Sequence, residues 1–309
     1  MSAGITAPTA ARSMNAAEWI MLIVLGIVWG GSFFFARVAV AEIHPLTLVL
    51  FRVAIAALAL HVLLAARGTT AAAALPYAGS FLLLALLNNV IPFSLIFAGQ
   101  TELGAGLAAV LNATTPFWTA LLANALTSDE KLSWNKVLGI GLGIAGTAVT
   151  IGPDLLDATS GPAWPKFALI GASLSYAFAL ILARRLRALP PLITTTAQLT
   201  GSTLIMIPVV LIVNGTGGLF DATLAVWGAV LGLALVSTAF AYLLYFRIIA
   251  SAGATNASLV TLLVPVSAIL LGTLLLGESL LMHEVIGMLV IALGLLTIDG
   301  RVFRLWTAR

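Results

Sequence analysis

Two halves of this chain repeat one pattern of glycine, proline and glutamate inside segments too apolar for water. Gly104-Ala105, Ala108, Pro116, Glu130, Gly139 and Gly146 recur at a nearly constant offset as Gly253-Ala254, Ala257, Pro265, Glu278, Gly287 and Gly294. The echo extends outward from there. Trp29 through Arg37 parallels Tyr176 through Arg184, Pro45 and Arg52 parallel Pro191 and Gln198, and Phe93 to Phe97 parallels Tyr242 to Phe246. Apolar helices give chance matches one at a time, but a run of such residues in register is much harder to produce by accident. If each half crosses a bilayer an odd number of times, the two copies insert in opposite orientations. Inverted repeats of this kind enclose a site near the midplane and serve alternating access.

A helix needs about 20 mainly apolar residues to cross the hydrocarbon core. The sequence predicts ten, near 17–38, 45–66, 73–98, 104–126, 134–152, 164–185, 192–213, 222–249, 254–276 and 281–299. The expected fold is therefore an all-α integral membrane protein, ten transmembrane helices forming two inverted five-helix repeats. Only 8% of residues are charged and 61% are apolar, whereas soluble domains carry roughly a quarter charged residues. No water-facing surface can be built from that. Residues 1–16 read as a cytoplasmic tail, 17–151 as the first repeat, 152–163 as a linker, 164–299 as the second repeat and 300–309 as a second cytoplasmic tail. The first segment lacks a basic start and a cleavage site, so it reads as an uncleaved helix.

Basic residues set the orientation, because they accumulate on the cytoplasmic side. With the N-terminus inside, Arg12, Arg67, Lys131, Lys136, Arg184, Arg185, Arg187, Arg247, Arg301, Arg304 and Arg309 fall at cytoplasmic ends. Arg37 and Lys166 fall outside, and Arg52 lies within a helix. Glu42, Glu102, Asp154, Asp157, Asp221, Glu278 and Glu284 also lie outside. A miscount by one helix would destroy this alternation, so the bias supports ten spans with both termini cytoplasmic in a plasma or bacterial inner membrane. The formal charge of +3 comes without a basic cluster interleaved with aromatics, so nucleic acid is not an expected partner. The chain contains no cysteine, which removes thiolate chemistry and cysteine metal sites.

Trp29-Gly30-Gly31-Ser32, Pro45 to Arg52, Gly104-Ala105 to Pro116, Gly253-Ala254 to Pro265, Gly277-Glu278, and Gly287 with Gly294 together resemble the EamA-type branch of the drug/metabolite transporter superfamily. The resemblance covers about residues 17 to 299. It implies an inner-membrane carrier, usually an exporter of amino acids, related metabolites or drugs, with a cavity built by helices one to four and six to nine. One departure stands out: Trp29-Gly30-Gly31 becomes Tyr176-Ala177-Phe178, so the two halves of the cavity differ chemically.

Polar groups placed mid-helix must face protein or a cavity, because hydrocarbon cannot satisfy them. Asn88 and Asn89 are neighbours near the middle of helix three, pointing about 100° apart, so at least one faces inward, as a substrate contact or as structural glue. Arg52 is the one basic side chain well inside a predicted span. It either attracts a carboxylate, gates the outer mouth or snorkels to the interface. Gln198 is its neutral counterpart. Trp29, Ser32, Phe93, Asn112, Thr115, Trp118, Tyr176, Ser237, Tyr242 and Thr261 complete the candidate lining. Their alternative is packing, or hydroxyls bonded back to their own helix. Pro116 and Pro265 occupy equivalent positions and are candidate hinges or static kinks. Gly139, Gly141, Gly143 and Gly146 smooth one face of helix five, for packing within the bundle or for a homodimer contact.

No aspartate or glutamate lies near the middle of a predicted helix, which favours facilitated diffusion over proton coupling. The expected function is export of small metabolites, amino acids with aromatic or hydrophobic side chains first, with a proton-coupled exporter of drugs or other metabolites as the alternative. An integral membrane enzyme or a channel is a remote alternative: the three histidines are scattered, and the polar residues are central rather than continuous through the bilayer. No cofactor and no metal are expected. The expected partners are a small-molecule substrate and the lipid bilayer, with the chain a monomer or a homodimer.

Overall fold

The structure, a computed structural model, describes residues 14–127, 132–152, 162–183 and 189–299. Both predicted tails apart from residues 14–16, most of the linker, Glu130, Asp154, Asp157 and eight of the basic residues used for orientation (Arg12, Lys131, Arg184, Arg185, Arg187, Arg301, Arg304, Arg309) lie outside the described residues. The described residues are helical, as the apolar runs require. Among the described residues nine helices are long and apolar enough to cross a membrane: α1 (Ala16–Ala39), α2 (Pro45–Ala66), α3 (Ala71–Gly99), α4 (Ala105–Leu126), α5 (Trp134–Ile151), α6 (Trp164–Ala183), α7 (Pro191–Val213), α8 (Leu224–Ala252) and α10 (Met282–Asp299). The tenth span is split into a single turn, Ala254–Ala257, and the helix α9 (Val260–Leu276).

The packing partners repeat when five is added to each helix number. The α1–α9 contact has its counterpart in α6–α4, α1–α8 in α6–α3, and α2–α8 in α7–α3, while α2–α7 and α5–α10 map onto themselves. The self-paired helices run in opposite directions. Thr47 meets Asn214 and His61 meets Thr200 between α2 and α7. Gly139 faces Gly294 and Gly146 faces Gly287 between α5 and α10. Repeat mates that run antiparallel to each other establish the inverted arrangement, as five crossings per repeat demand.

Gly139, Gly143 and Gly146 of α5 pack within the chain, whereas Gly141 points away from that face into open space. A Cβ on Gly146 would stand 2.8 Å from the Gly287 carbonyl, and one on Gly287 would stand 2.7 Å from the Gly146 carbonyl and 2.1 Å from Thr150 Oγ1. Backbones that close leave no room for a methyl group, and in lipid close approach of small residues is what drives helix association. Glu278 adds a polar clamp between repeats. Its carboxylate accepts from the backbone N–H of Ala105 (2.8 Å) and Gly106 (3.3 Å). That satisfies orphan donors at the start of α4 and favours the positive end of the helix dipole. Gly104 and Gly272 lie against the same carboxylate, without space for side chains.

The apolar core is unified at one end and divided at the other. Toward the end carrying connections 40–44, 100–104 and 214–223, one continuous cluster joins Phe33, Leu48, Phe97, Leu107, Leu169, Met206 and Leu233 from seven helices. Toward the opposite end there are three separate clusters. One unites Leu22 of α1 with Ile248 of α8 and Val260 of α9. A second unites Phe81 and Leu84 of α3 with Ala179 of α6. A third unites Phe117 of α4 with Ile140 of α5 and Leu295 of α10.

The glycine seam predicts a paired result. Gly287→Val forces a clash with backbone and costs about 1–3 kcal/mol by overpacking, read as a lowered melting temperature of the detergent-solubilised protein. Gly141→Val, on the same helix but with open space around it, leaves melting unchanged.

Candidate functional site

A buried polar cluster lies where the single core gives way to the divided one. Arg52 of α2 is 8% exposed. Its Nε donates to Thr238 Oγ1 of α8 at 3.0 Å, and its guanidinium lies over the Phe93 ring at 3.8 Å from the centroid, with Phe97 at 5.7 Å. The repeat mate of Arg52 behaves in parallel. Gln198 of α7 donates through Nε2 to Asn89 Oδ1 of α3 at 3.0 Å, and its side chain bonds Tyr242. Asn89 corresponds to Thr238 and Phe93 to Tyr242. Each half thus sends one polar side chain from its second helix onto the third helix of the other half, beside an aromatic of its own.

The third helix of each repeat departs from α-geometry at that level. Residues Leu86–Val90 of α3 and Gly232–Phe240 of α8 form π-helical turns. A π-turn withholds a carbonyl from its usual partner and is frequent at functional sites. Leu87 O accepts from Ser175 Oγ of α6 at 2.7 Å, and Thr238 Oγ1 donates to Leu233 O at 2.8 Å. The same turn rotates Asn89 fully into the interior, where its Nδ2 donates to Ser202 Oγ at 2.8 Å. Asn88 is half-buried and bonds Tyr242.

The structure brings together Arg52, Asn88, Asn89, Phe93, Tyr176, Gln198 and Tyr242. Tyr176 meets Phe93 edge-on at 6.5 Å, and both Tyr176 and Tyr242 lie within electrostatic range of Arg52. Trp29 joins the cluster through aromatic contacts only: it packs on Tyr245 at 5.2 Å, which touches Phe246 at 5.7 Å, which stacks on Tyr242 at 6.2 Å. Other candidates have hydrogen-bond partners on their own turn or, for Ser237, on α1. Ser237 Oγ donates to Val28 O, Thr261 Oγ1 to Ser258 O, Thr115 Oγ1 to Asn112 O and Trp118 Nε1 to Thr114 Oγ1. Ser32 is buried on α1. Asn112 ends the first half of α4, which breaks at residues 113 and 114. Its backbone carbonyl accepts from Ser173 Oγ, while its side-chain Oδ1 is buried without a hydrogen-bond partner. Pro116 stands in the first turn after that break, where its missing N–H costs nothing, whereas Pro265 stands inside continuous α9.

Ser202, Phe97 and the two π-turns were not among the sequence candidates. Ser202 lies one helical turn beyond Gln198, a spacing that could have marked it. Two surface cavities lie elsewhere. One of about 370 Å³ lies between Glu42, His44 and Asp221, and one of about 430 Å³ between His61, Phe81 and Leu204. Neither includes a member of the polar cluster.

Ten apolar spans, two inverted halves and a buried polar cluster at their junction define a multi-pass membrane transporter fold. The comparisons give the family. The EamA-like transporter model matches twice, over residues 17–152 and 163–298, and the chain belongs to that family within the drug/metabolite transporter superfamily. The uncharacterized inner membrane transporter YedA of Escherichia coli K12 is 27% identical, over 91% of this chain and 91% of its own length. The uncharacterized transporter YyaM of Bacillus subtilis is 25% identical over 91% and 93%. Protein PagO of Salmonella typhimurium is 26% identical over 91% and 93%. A solved crystal structure at 15% identity superposes with a TM-score of 0.64, covering 92% of this chain and 98% of its own, which supports the fold.

The cluster predicts which polar residue matters most to stability. Asn89→Leu removes the donor to Ser202 and strands the buried Gln198 amide, which costs about 1–3 kcal/mol. Ser202→Ala costs less, about 1 kcal/mol. Thermal unfolding of the purified protein, followed by tryptophan fluorescence, ranks the two.

Proposed function

We propose that the protein is an alternating-access carrier that exports small metabolites with a polar head and an apolar or aromatic body across a bacterial inner membrane. The observation that carries this reading is the core that is single at one end and divided at the other, with buried polar side chains at the transition. A pore needs a polar route through every depth, whereas this arrangement joins the core on one side and divides it into separate apolar clusters on the other. Phe93, Tyr176 and Tyr242 supply apolar walls and Asn88, Gln198 and Arg52 the polar contacts, the mixture usual in small-molecule sites. Amino acids with hydrophobic or aromatic side chains fit such a site, and facilitated diffusion fits a cluster that contains no carboxylate.

The topology follows from the same charges. Arg67 and Arg247 lie at the divided end, and this end is cytoplasmic, with both termini, on the positive-inside rule. The two basic residues at the other end are held by local partners. Arg37 Nη1 donates to the carbonyls of Gln100 and Thr101 at 2.5 and 2.9 Å, at the end of α3. Lys166 lies 3.8 Å from Glu284 and donates to Thr150 O. The described conformation is then closed outward. Pro265 deprives residue 261 of a helical bond, and Pro116 follows the break in α4, so these two positions are where the lobes can bend.

Counterflow in proteoliposomes, against a panel of amino acids and organic cations, tests the reading. Saturable exchange that persists without a pH gradient is expected. Non-saturable flux would instead indicate a pore, and an absolute need for the gradient would indicate proton coupling. Pro116→Ala and Pro265→Ala should each lower the exchange rate several-fold with little change in half-saturation. Wild-type rates in both variants would remove the hinges.

A further inference from the structure

We infer that Arg52 is the carboxylate subsite of this carrier, its free guanidinium edge receiving the anionic head of the substrate while Phe93 holds its other face. This rests on the carrier reading and names the substrate class within it.

Arg52 is a buried cation without a counter-ion. Among the described residues the one ion pair is Lys166 with Glu284, at the outer end of α5, α6 and α10, and no carboxylate pairs with Arg52. The side chain spends Nε on the Thr238 hydroxyl and one guanidinium face on Phe93. Neither terminal nitrogen donates to an acceptor among the described residues, and neither is fully buried. A permanent charge at this depth is costly unless something neutralises it, and a guanidinium whose orientation is already fixed offers a planar fork that matches a carboxylate. The fixing is specific. Phe93 and Thr238 set the plane, and the repeat mate Gln198, which has no charge, spends its amide on Asn89 and Tyr242 instead. The asymmetry between the two halves is thus one charge, placed on one side of a near-symmetric cluster.

Two kinds of solute carry this head: amino acids and plain organic acids. They differ in the ammonium group. A candidate acceptor for it is Asn112 Oδ1, buried and without a donor. The Asn112 backbone carbonyl accepts from Ser173 Oγ of α6, the helix that also carries Tyr176.

The test uses three ligands with one ring and chain: 3-phenylpropionate (carboxylate only), L-phenylalanine (carboxylate and ammonium) and 2-phenylethylamine (ammonium only). Binding to the full-length protein in detergent and counterflow in proteoliposomes are measured for each. The carboxylate ligands should bind at least tenfold more tightly than the amine. Arg52→Gln should erase that difference, and Arg52→Lys should restore part of it. Asn112→Ala should weaken phenylalanine and spare phenylpropionate if amino acids are the substrates; equal affinity of that variant for both assigns the site to plain acids, with Arg52 unchanged in role. The inference is overturned if the amine competes as well as the acids, if Arg52→Gln keeps the preference, or if Arg52→Lys loses binding and melting temperature as fully as Arg52→Gln does. It falls alone if saturable counterflow of other solutes survives in Arg52→Gln. Absence of saturable counterflow for every solute removes the carrier reading as well.

Discussion

A bilayer offers no water to a buried polar group, so each must find its partner inside the protein. That constraint organises the junction between the two halves. Asn89, Gln198, Ser202 and Thr238 are each within 6% exposure of complete burial, and each has a bond on a neighbouring helix or on its own turn. The bonds of Arg52 to Thr238, Asn89 to Ser202 and Gln198 to Asn89 cross between repeats, so the polar cluster also holds the halves together. Buried hydrogen bonds between membrane helices are worth only about 0.6–2 kcal/mol each. Such a junction can open and re-form without a large barrier, while the glycine seams and the apolar clusters supply the permanent packing.

The inverted repeat turns one folding solution into two chemically distinct surfaces. Arg52 and Gln198 occupy matching positions and reach matching partners, yet one brings a charge and the other an amide. The same divergence is visible at α1 and α6. Gly30 sits so close to α9 that a Cβ would stand 2.5 Å from the Ser267 Cβ, whereas its counterpart Ala177 is tolerated against α4 and Phe178 is partly exposed toward lipid. A pseudo-symmetric frame with an asymmetric interior lets a carrier alternate between related shapes while it holds one oriented ligand.

Much of this was legible in the residues. Helix number and the inverted halves follow from apolar run lengths and from the echo of glycine, proline and glutamate, because both are properties of spacing. Arg52, Gln198, Phe93 and Tyr242 were legible as a matched set for the same reason. The π-turns were not. Nothing in Leu86–Val90 distinguishes it from ordinary α-helix, and the turn decides that Asn89 rather than Asn88 is fully buried. Glu278 read as an end-of-helix acid; its bonds to Ala105 and Gly106 depend on how α4 and the α9–α10 connection meet in space. For Thr115, Ser237 and Thr261 the sequence leaves lining and packing open, because a hydroxyl in a membrane helix reads the same whether it faces a solute or bonds to a carbonyl.

The α5–α10 seam has a consequence for motion. When an inverted-repeat carrier exchanges one facing state for the other, each contact takes the geometry of its symmetry mate: α1 against α9 comes to resemble α6 against α4, and the reverse. A contact that is its own mate is asked for no such change. Gly139 with Gly294 and Gly146 with Gly287 form such a contact, and so does the α2–α7 crossing. Helices five and ten can therefore stay locked backbone to backbone through such an exchange, and α2 keeps its geometry against α7 in the same way.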